Sequence, residues 1–217
     1  MLDANPFMLI VLFVGLSLLP FVAMVATSYL KIVIVMSLIR NALGIQSIPP
    51  NMVINALAMI LTFYIMAPTC SRSWEIAKAE LAGRPANVLE TQAVAKAAEP
   101  FREFLSDHTA DRERVFFVHT AEHLWAKDGE PAEVDPESFY VLLPSFCVSE
   151  LTKAFQIGFL VYLPFIAIDI IVSNILLAMG MMMVSPVTIS LPFKLLLFVM
   201  VNGWTLLIQG LVRGYVR

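Results

Sequence analysis

The placement of charge constrains this chain more than any other feature. Of its 14 Lys and Arg and 17 Asp and Glu, 22 fall between Arg72 and Glu137. The flanks carry only Asp3, Lys31, Arg40, Glu150, Lys153, Asp169, Lys194, Arg213 and Arg217. The chain is 59% apolar, with a mean hydropathy of +0.81, against about half in an ordinary soluble domain. An apolar, polar, apolar layout predicts an all-α, integral membrane-associated protein with four hydrophobic segments in two helical hairpins and a helical polar insert. The expected divisions are 1–71, 72–139 and 140–217.

The first apolar run, Phe7 to Leu30, carries no charge and is long enough to span about 30 Å of hydrocarbon. It continues as KIVIVMSLIR, which extends the expected helix to Arg40, with Pro20 as a place for a kink. Gly44 and the pair Pro49-Pro50 separate it from a second run, Met52 to Cys70. The third run, Phe139 to Met179, is interrupted by Pro144, Gly158 and Pro164; the fourth is Val187 to Val212. Between them lies GMMMVSP, where Gly180 and Pro186 predict a break between two helices. In the insert, EPFREFLSDH reads as a short helix with Pro100 near its first turn and Phe101, Phe104, Leu105 and His108 on one face. DRERVFFVHTAEHLW reads as a second, with Val118, Ala121 and Trp125 on one side, and KDGEPAEVDPES as an acidic loop. MLDANPF has no basic residue, so the first segment is expected to be retained and not cleaved as a leader.

Hydropathy alone gives four spans, but that topology sets Arg40 against Arg213 and Arg217 under the positive-inside tendency. Charges inside apolar runs are costly unless paired or facing protein. Glu150, Lys153, Asp169 and Lys194 therefore suit helices packed on other subunits, as structural pairs more readily than as a proton relay. Cys70 and Cys147 flank the insert; small buried hydrophobes are the simpler reading and a disulfide the alternative. HTAEH, His119 to His123, fits the H-x-x-E-H pattern of inverted zinc peptidases, with Glu122 placed as a base, so a membrane-bound zinc peptidase is the competing function. The match is five residues long and His108 is the only other histidine, so a polar helix face is the preferred account. No G-x-G occurs and no glycine precedes a lysine, which removes the common nucleotide-binding loops. A net charge of −3 without a basic stripe argues against nucleic acid.

Met181, Met182 and Met183 follow Gly180. Three consecutive residues on a helix point about 100° apart and cannot line one seam. In a turn repeated around a ring they can crowd inward and exclude water and ions by dewetting; gap-filling core methionines are the simpler alternative.

ATSYLKIVIVMSLIRNALGIQSIPPNM (26–52), LLPSFCVSELTKAFQIGFLVYLPFIAIDIIVSNILLAMGMMMVSP (142–186) and ISLPFKLLLFVMVNGWTLLIQGLV (189–212) resemble the FliP/SctR family of type III secretion export-gate proteins. The core P-x-F-x-x-S-E-L-x-x-A-F-Q-I-G, Pro144 to Gly158, is the most specific stretch; Ser145 stands where the family more often has Ala. The resemblance implies a non-enzymatic pore subunit, without cofactor or bound metal, that passes unfolded secreted proteins across the bacterial inner membrane. It implies a homo-oligomeric ring of five copies, a helical cone, assembled with SctS/FliQ-type and SctT/FliR-type proteins and working with the larger SctU/FlhB-type and SctV/FlhA-type proteins. It also implies a periplasmic insert, a pore gasket at Met181, Met182 and Met183, and pairing of Glu150 with Lys194 across subunits. SIPPNM, and a first helix close to residue 1, resemble the injectisome branch more than the flagellar one.

Overall fold

The computed structural model describes residues 6–45, 48–82, 91–126 and 132–216. Among these residues the fold is entirely helical, in the order α1 (Pro6–Val25), α2 (Tyr29–Ala42), α3 (Asn51–Leu81), α4 (Thr91–His108), α5 (Asp111–Leu124), α6 (Phe139–Ala178), α7 (Pro186–Met200) and α8 (Gly203–Arg213). By length and composition α3 and α6 can each cross a membrane, and α1 with α2 and α7 with α8 form two further apolar pairs, each interrupted by a short break.

Several boundaries differ from those the sequence predicts. Pro20 lies inside α1, and the first apolar helix breaks later, at Ala26–Ser28. There the Thr27 hydroxyl donates to the Ala23 carbonyl at 2.5 Å and accepts from the Tyr29 N–H at 3.4 Å, the local competition with helix bonding that hydroxyl side chains offer. α3 runs about ten residues past the apolar segment, because SWEIAKAEL consists largely of helix-compatible residues and holds no Gly or Pro. α4 starts at Thr91, so Pro100 sits in its interior and not in its first turn. Pro144, Gly158 and Pro164 do not interrupt α6, which is 40 residues long. At 1.5 Å per residue that is about 60 Å, twice a bilayer's hydrocarbon thickness. Leu142, Ser145 and Phe146 beside Pro144 are fully buried, and this packing offsets the hydrogen bond a proline removes. The fourth apolar run is two helices, bent by 59°. Asn202 takes the left-handed conformation at φ 52° between them. Asn-Gly is a strong turn signal, and a Cβ on Gly203 would overlap the Phe198 ring.

The chain divides into two compact units. The first comprises residues 1–30 and 66–149. Its core includes Met66, Phe104, Leu105, Ala121, Val141, Leu142 and Phe146, with the Phe104 and Phe146 rings 5.8 Å apart. Phe104 and Leu105 thus take the predicted inner face of α4, and Ala121 that of α5. Trp125 is exposed instead and meets Tyr140 edge-on at 6.3 Å. Polar links close the unit: Arg114 donates to Glu137 at 2.8 Å and to the Ser106 carbonyl at 2.6 Å, and the Ala110 N–H donates to Ser149 Oγ at 2.9 Å. The first part of the predicted acidic loop, 127–131, lies outside the described residues.

The second unit comprises residues 31–65 and 150–217. α2 buries Lys31, Ile32, Val35, Met36, Ile39 and Ala42, a stripe at helical spacing. Gly158 lets α2 and α6 approach, since a Cβ there would overlap Leu38. Arg40 donates to the Pro49 carbonyl at 3.3 Å and to Asn51, closing the turn before α3.

Candidate functional site

The Met-rich turn is built by its two boundary residues. α6 ends in a reciprocal cap: the Gly180 N–H donates to the Leu177 carbonyl at 3.0 Å and the Met181 N–H to Leu176 at 2.9 Å. This Schellman arrangement needs a left-handed residue, and Gly180 supplies φ 74° without steric cost. At the far side Ser185 is the N-cap of α7 and Pro186 its first residue, where a missing N–H costs nothing. Between them the three methionines turn outward. Met181 is 42% exposed, Met182 82% and Met183 101%. They are not gap-filling core residues in this chain.

The four buried-charge candidates fall into two clusters within the second unit. Glu150 is fully buried and has three partners. Lys31 Nζ lies 3.0 Å from Oε2, Lys153 Nζ donates to Oε1 at 3.2 Å, and the Tyr215 hydroxyl donates to Oε2. Lys31 also lies 3.6 Å from the centre of the Tyr215 ring, a cation–π contact. Lys194 and Asp169 form the second cluster. Lys194 Nζ donates to Asp169 Oδ2 at 2.6 Å and to the Ala42 carbonyl at 3.3 Å, and Ser190 Oγ donates to Asp169 Oδ1 at 2.6 Å. Within one chain, then, Lys153 joins Glu150 and Asp169 joins Lys194.

Sequence reasoning singled out neither Lys31, Ser190 nor Tyr215. Lys31 carried a signal, a lone cation on the apolar stripe of α2. Ser190 and Tyr215 carried none, because their roles depend on partners distant in sequence.

On α5, His119 and His123 stack edge-on with ring centres 4.6 Å apart. Among the described residues no group of three or more His, Cys, Asp or Glu is arranged to hold a metal ion. Cys70 and Cys147 are free thiols. Cys70 is exposed, which corrects its reading as a buried hydrophobe, and Cys147 is half-buried, with its Sγ 3.6 Å from the Val25 carbonyl.

Comparison with known proteins bears on almost the whole chain. The chain is 49% identical over 211 residues to "Yop proteins translocation protein R" of Yersinia pestis, covering 95% of each chain. It is 47% identical over 209 residues to "Hypersensitivity response secretion protein HrcR" of Ralstonia nicotianae, covering 95% of this chain and 96% of that one. It is 42% identical over 208 residues to "Flagellar biosynthetic protein FliP" of Bacillus subtilis, covering 95% and 90%. The sequence profile of the FliP family matches residues 12–211, which takes in both buried-charge clusters except Tyr215, the whole Met-rich turn and the polar insert. By that match, across almost its full length, the chain belongs to the FliP family.

Proposed function

We infer that this chain is the core pore subunit of a type III secretion export gate, passing unfolded proteins across the bacterial inner membrane. The observation that carries the reading is the family match over residues 12–211, together with relatives named for translocation and secretion at 47–49% identity. Those two names favour an injectisome over a flagellum. The work this asks of the chain is to form a path and a seal; it makes and breaks no covalent bond, and no cofactor takes part.

In this reading five copies close into a cone-like ring with companions of the SctS/FliQ and SctT/FliR types, next to SctU/FlhB-type and SctV/FlhA-type proteins. Regions 1–71 and 140–217 are the apolar hairpins, and 72–139 is a periplasmic insert. A ring supports two otherwise awkward features. It gives a 40-residue apolar helix protein neighbours along a length greater than a bilayer. It also gathers five copies of an exposed methionine turn at one height. Unbranched thioether side chains are apolar enough to exclude ions and deformable enough to refit around a moving chain. Glu150 and Lys194 pair across neighbouring copies in the family-based reading; each already has partners in its own chain, so that pairing adds to or exchanges with them on assembly.

The test is a deletion strain complemented by the full chain. Restored secretion, and a detergent-extracted complex whose mass fits five copies with companion subunits, are the expected results. A monomer without companions that still supports solute transport would overturn the reading.

A further inference from the structure

α8 ends at Arg213, and the residues that follow it fold back onto the second unit. Leu211, 2% exposed, anchors the last turn of the helix. The Gly214 N–H donates to the Gly210 carbonyl at 3.1 Å, the Tyr215 N–H to that of Val212 at 3.0 Å and the Val216 N–H to that of Arg213 at 3.1 Å. These successive bonds wind the chain end into a turn that carries Tyr215 to the Glu150 cluster. Gly214 itself passes close by: a Cβ there would lie 4.0 Å from Lys31 Nζ.

Tyr215 touches both members of the buried pair. Its hydroxyl donates to Glu150 Oε2, and its ring centre lies 3.6 Å from Lys31 Nζ, which is 3.0 Å from the same oxygen. The three groups close a triangle: an O–H and an ammonium converge on one carboxylate oxygen, and the ammonium rests on the ring. The other oxygen is placed differently. Oε1 meets Lys153, one turn on along α6, whose side chain is 38% exposed against 4% for Lys31. Glu150 thus has an inner oxygen held within the chain and an outer oxygen beside a partly exposed cation. The two oxygens of a carboxylate are chemically equivalent, so only directional partners decide which faces inward.

We propose that Tyr215 is a positioning residue for Glu150: the chain end latches Oε2 inward and so directs Oε1 toward the neighbouring copy with which Glu150 pairs. The latch stands on contacts within one chain; its purpose rests on the cross-copy pairing proposed above. Tyrosine suits the task because its hydroxyl supplies direction and its aromatic face seats Lys31. Phenylalanine keeps only the second of these, and leucine neither.

The experiment uses the full chain, as isolated protein in detergent and as the assembled complex. Amine acylation read by mass spectrometry reports how well each lysine is shielded. Tyr215→Phe should raise the labelling rate of Lys31 roughly tenfold, the worth of a hydrogen bond to a charged group, and Tyr215→Leu should raise it further. Lys194, its side chain also 4% exposed but in the other cluster, should not change. In a Glu150→Ala background Tyr215→Phe should add nothing, because the hydroxyl has lost its acceptor. Ring yield and secretion should fall for Tyr215→Phe while circular dichroism and the shielding of Lys194 match the parent, a combination that general destabilisation does not give. Unchanged Lys31 labelling in Tyr215→Phe, an equal rise at Lys194, or a further rise in the Glu150→Ala background overturns the latch. Full ring yield from a Tyr215→Phe chain whose Lys31 has become accessible overturns the positioning role. A parent chain that forms no ring overturns the export reading instead, and the labelling of Lys31 still decides the latch.

Discussion

The two compact units use charge in opposite ways. In the first, Arg72 and Glu103 pair at 2.8 Å with side chains 58% and 48% exposed, and Lys96–Glu80 and Arg102–Glu99 are similar surface pairs. In the second, the Lys31 and Glu150 side chains are 4% and 0% exposed at 3.0 Å. Surface pairs are worth about 0–1 kcal/mol. A buried pair repays its desolvation only when every remaining lone pair and proton is satisfied, and removing one member leaves the other uncompensated. The contrast separates charge paired at the surface from charge that fixes how apolar helices meet.

Glu150→Ala should break that contrast hardest. It strands Lys31 and Lys153 together in an apolar setting, and the expected loss is about 3–5 kcal/mol. Ring yield and secretion should fall with it. Thermal unfolding of the extracted protein measures the loss, and adding Lys31→Met should recover part of it by removing the stranded cation. Unchanged ring yield from Glu150→Ala would mean that the cluster is dispensable.

Asp169→Asn comes next, at about 2–3 kcal/mol. Lys194 is then buried without a counter-charge. The loss is smaller than for Glu150 because the Asp169 side chain is 32% exposed and water compensates part of it. The same unfolding assay should rank the two variants in this order.

Arg72→Ala sharpens the comparison from the other side, with an expected change below about 1 kcal/mol that shrinks further in high salt. A larger loss would show that the first unit also depends on specific ion pairs.

Changing Met181, Met182 and Met183 together to Ala should move stability least, within about 0.5 kcal/mol, because these side chains are largely exposed in the chain. Its effect belongs to the assembled gate. Conductance of cells expressing the complex without substrate should rise for Ala and stay lower for Leu, whereas Val, stiff at χ1, should slow export. A triple-Ala complex as tight as the parent would make the turn a mere connection.

Much of this molecule was legible before any coordinate. The charge layout predicted helices of two kinds, because apolar length and the absence of turn signals are local properties. Gly180 and Pro186 marked the break between α6 and α7 correctly, since a left-handed cap and a first-turn proline act through their own backbone. Asn202-Gly203 was equally local, but an unbroken apolar run masked it. The prolines of α4 and α6 misled for the converse reason: a lost hydrogen bond is a local cost, and burial of the neighbouring side chains outweighs it. What only the tertiary structure decided is which charge meets which. Composition says that Glu150 and Lys194 each need a partner. Lys31 and Tyr215 become partners of Glu150, and Ser190 joins Lys194 at Asp169, through helix packing between residues as distant in sequence as Lys31 and Glu150. Helical periodicity fixes the face a residue occupies; contacts between helices fix what lies opposite it.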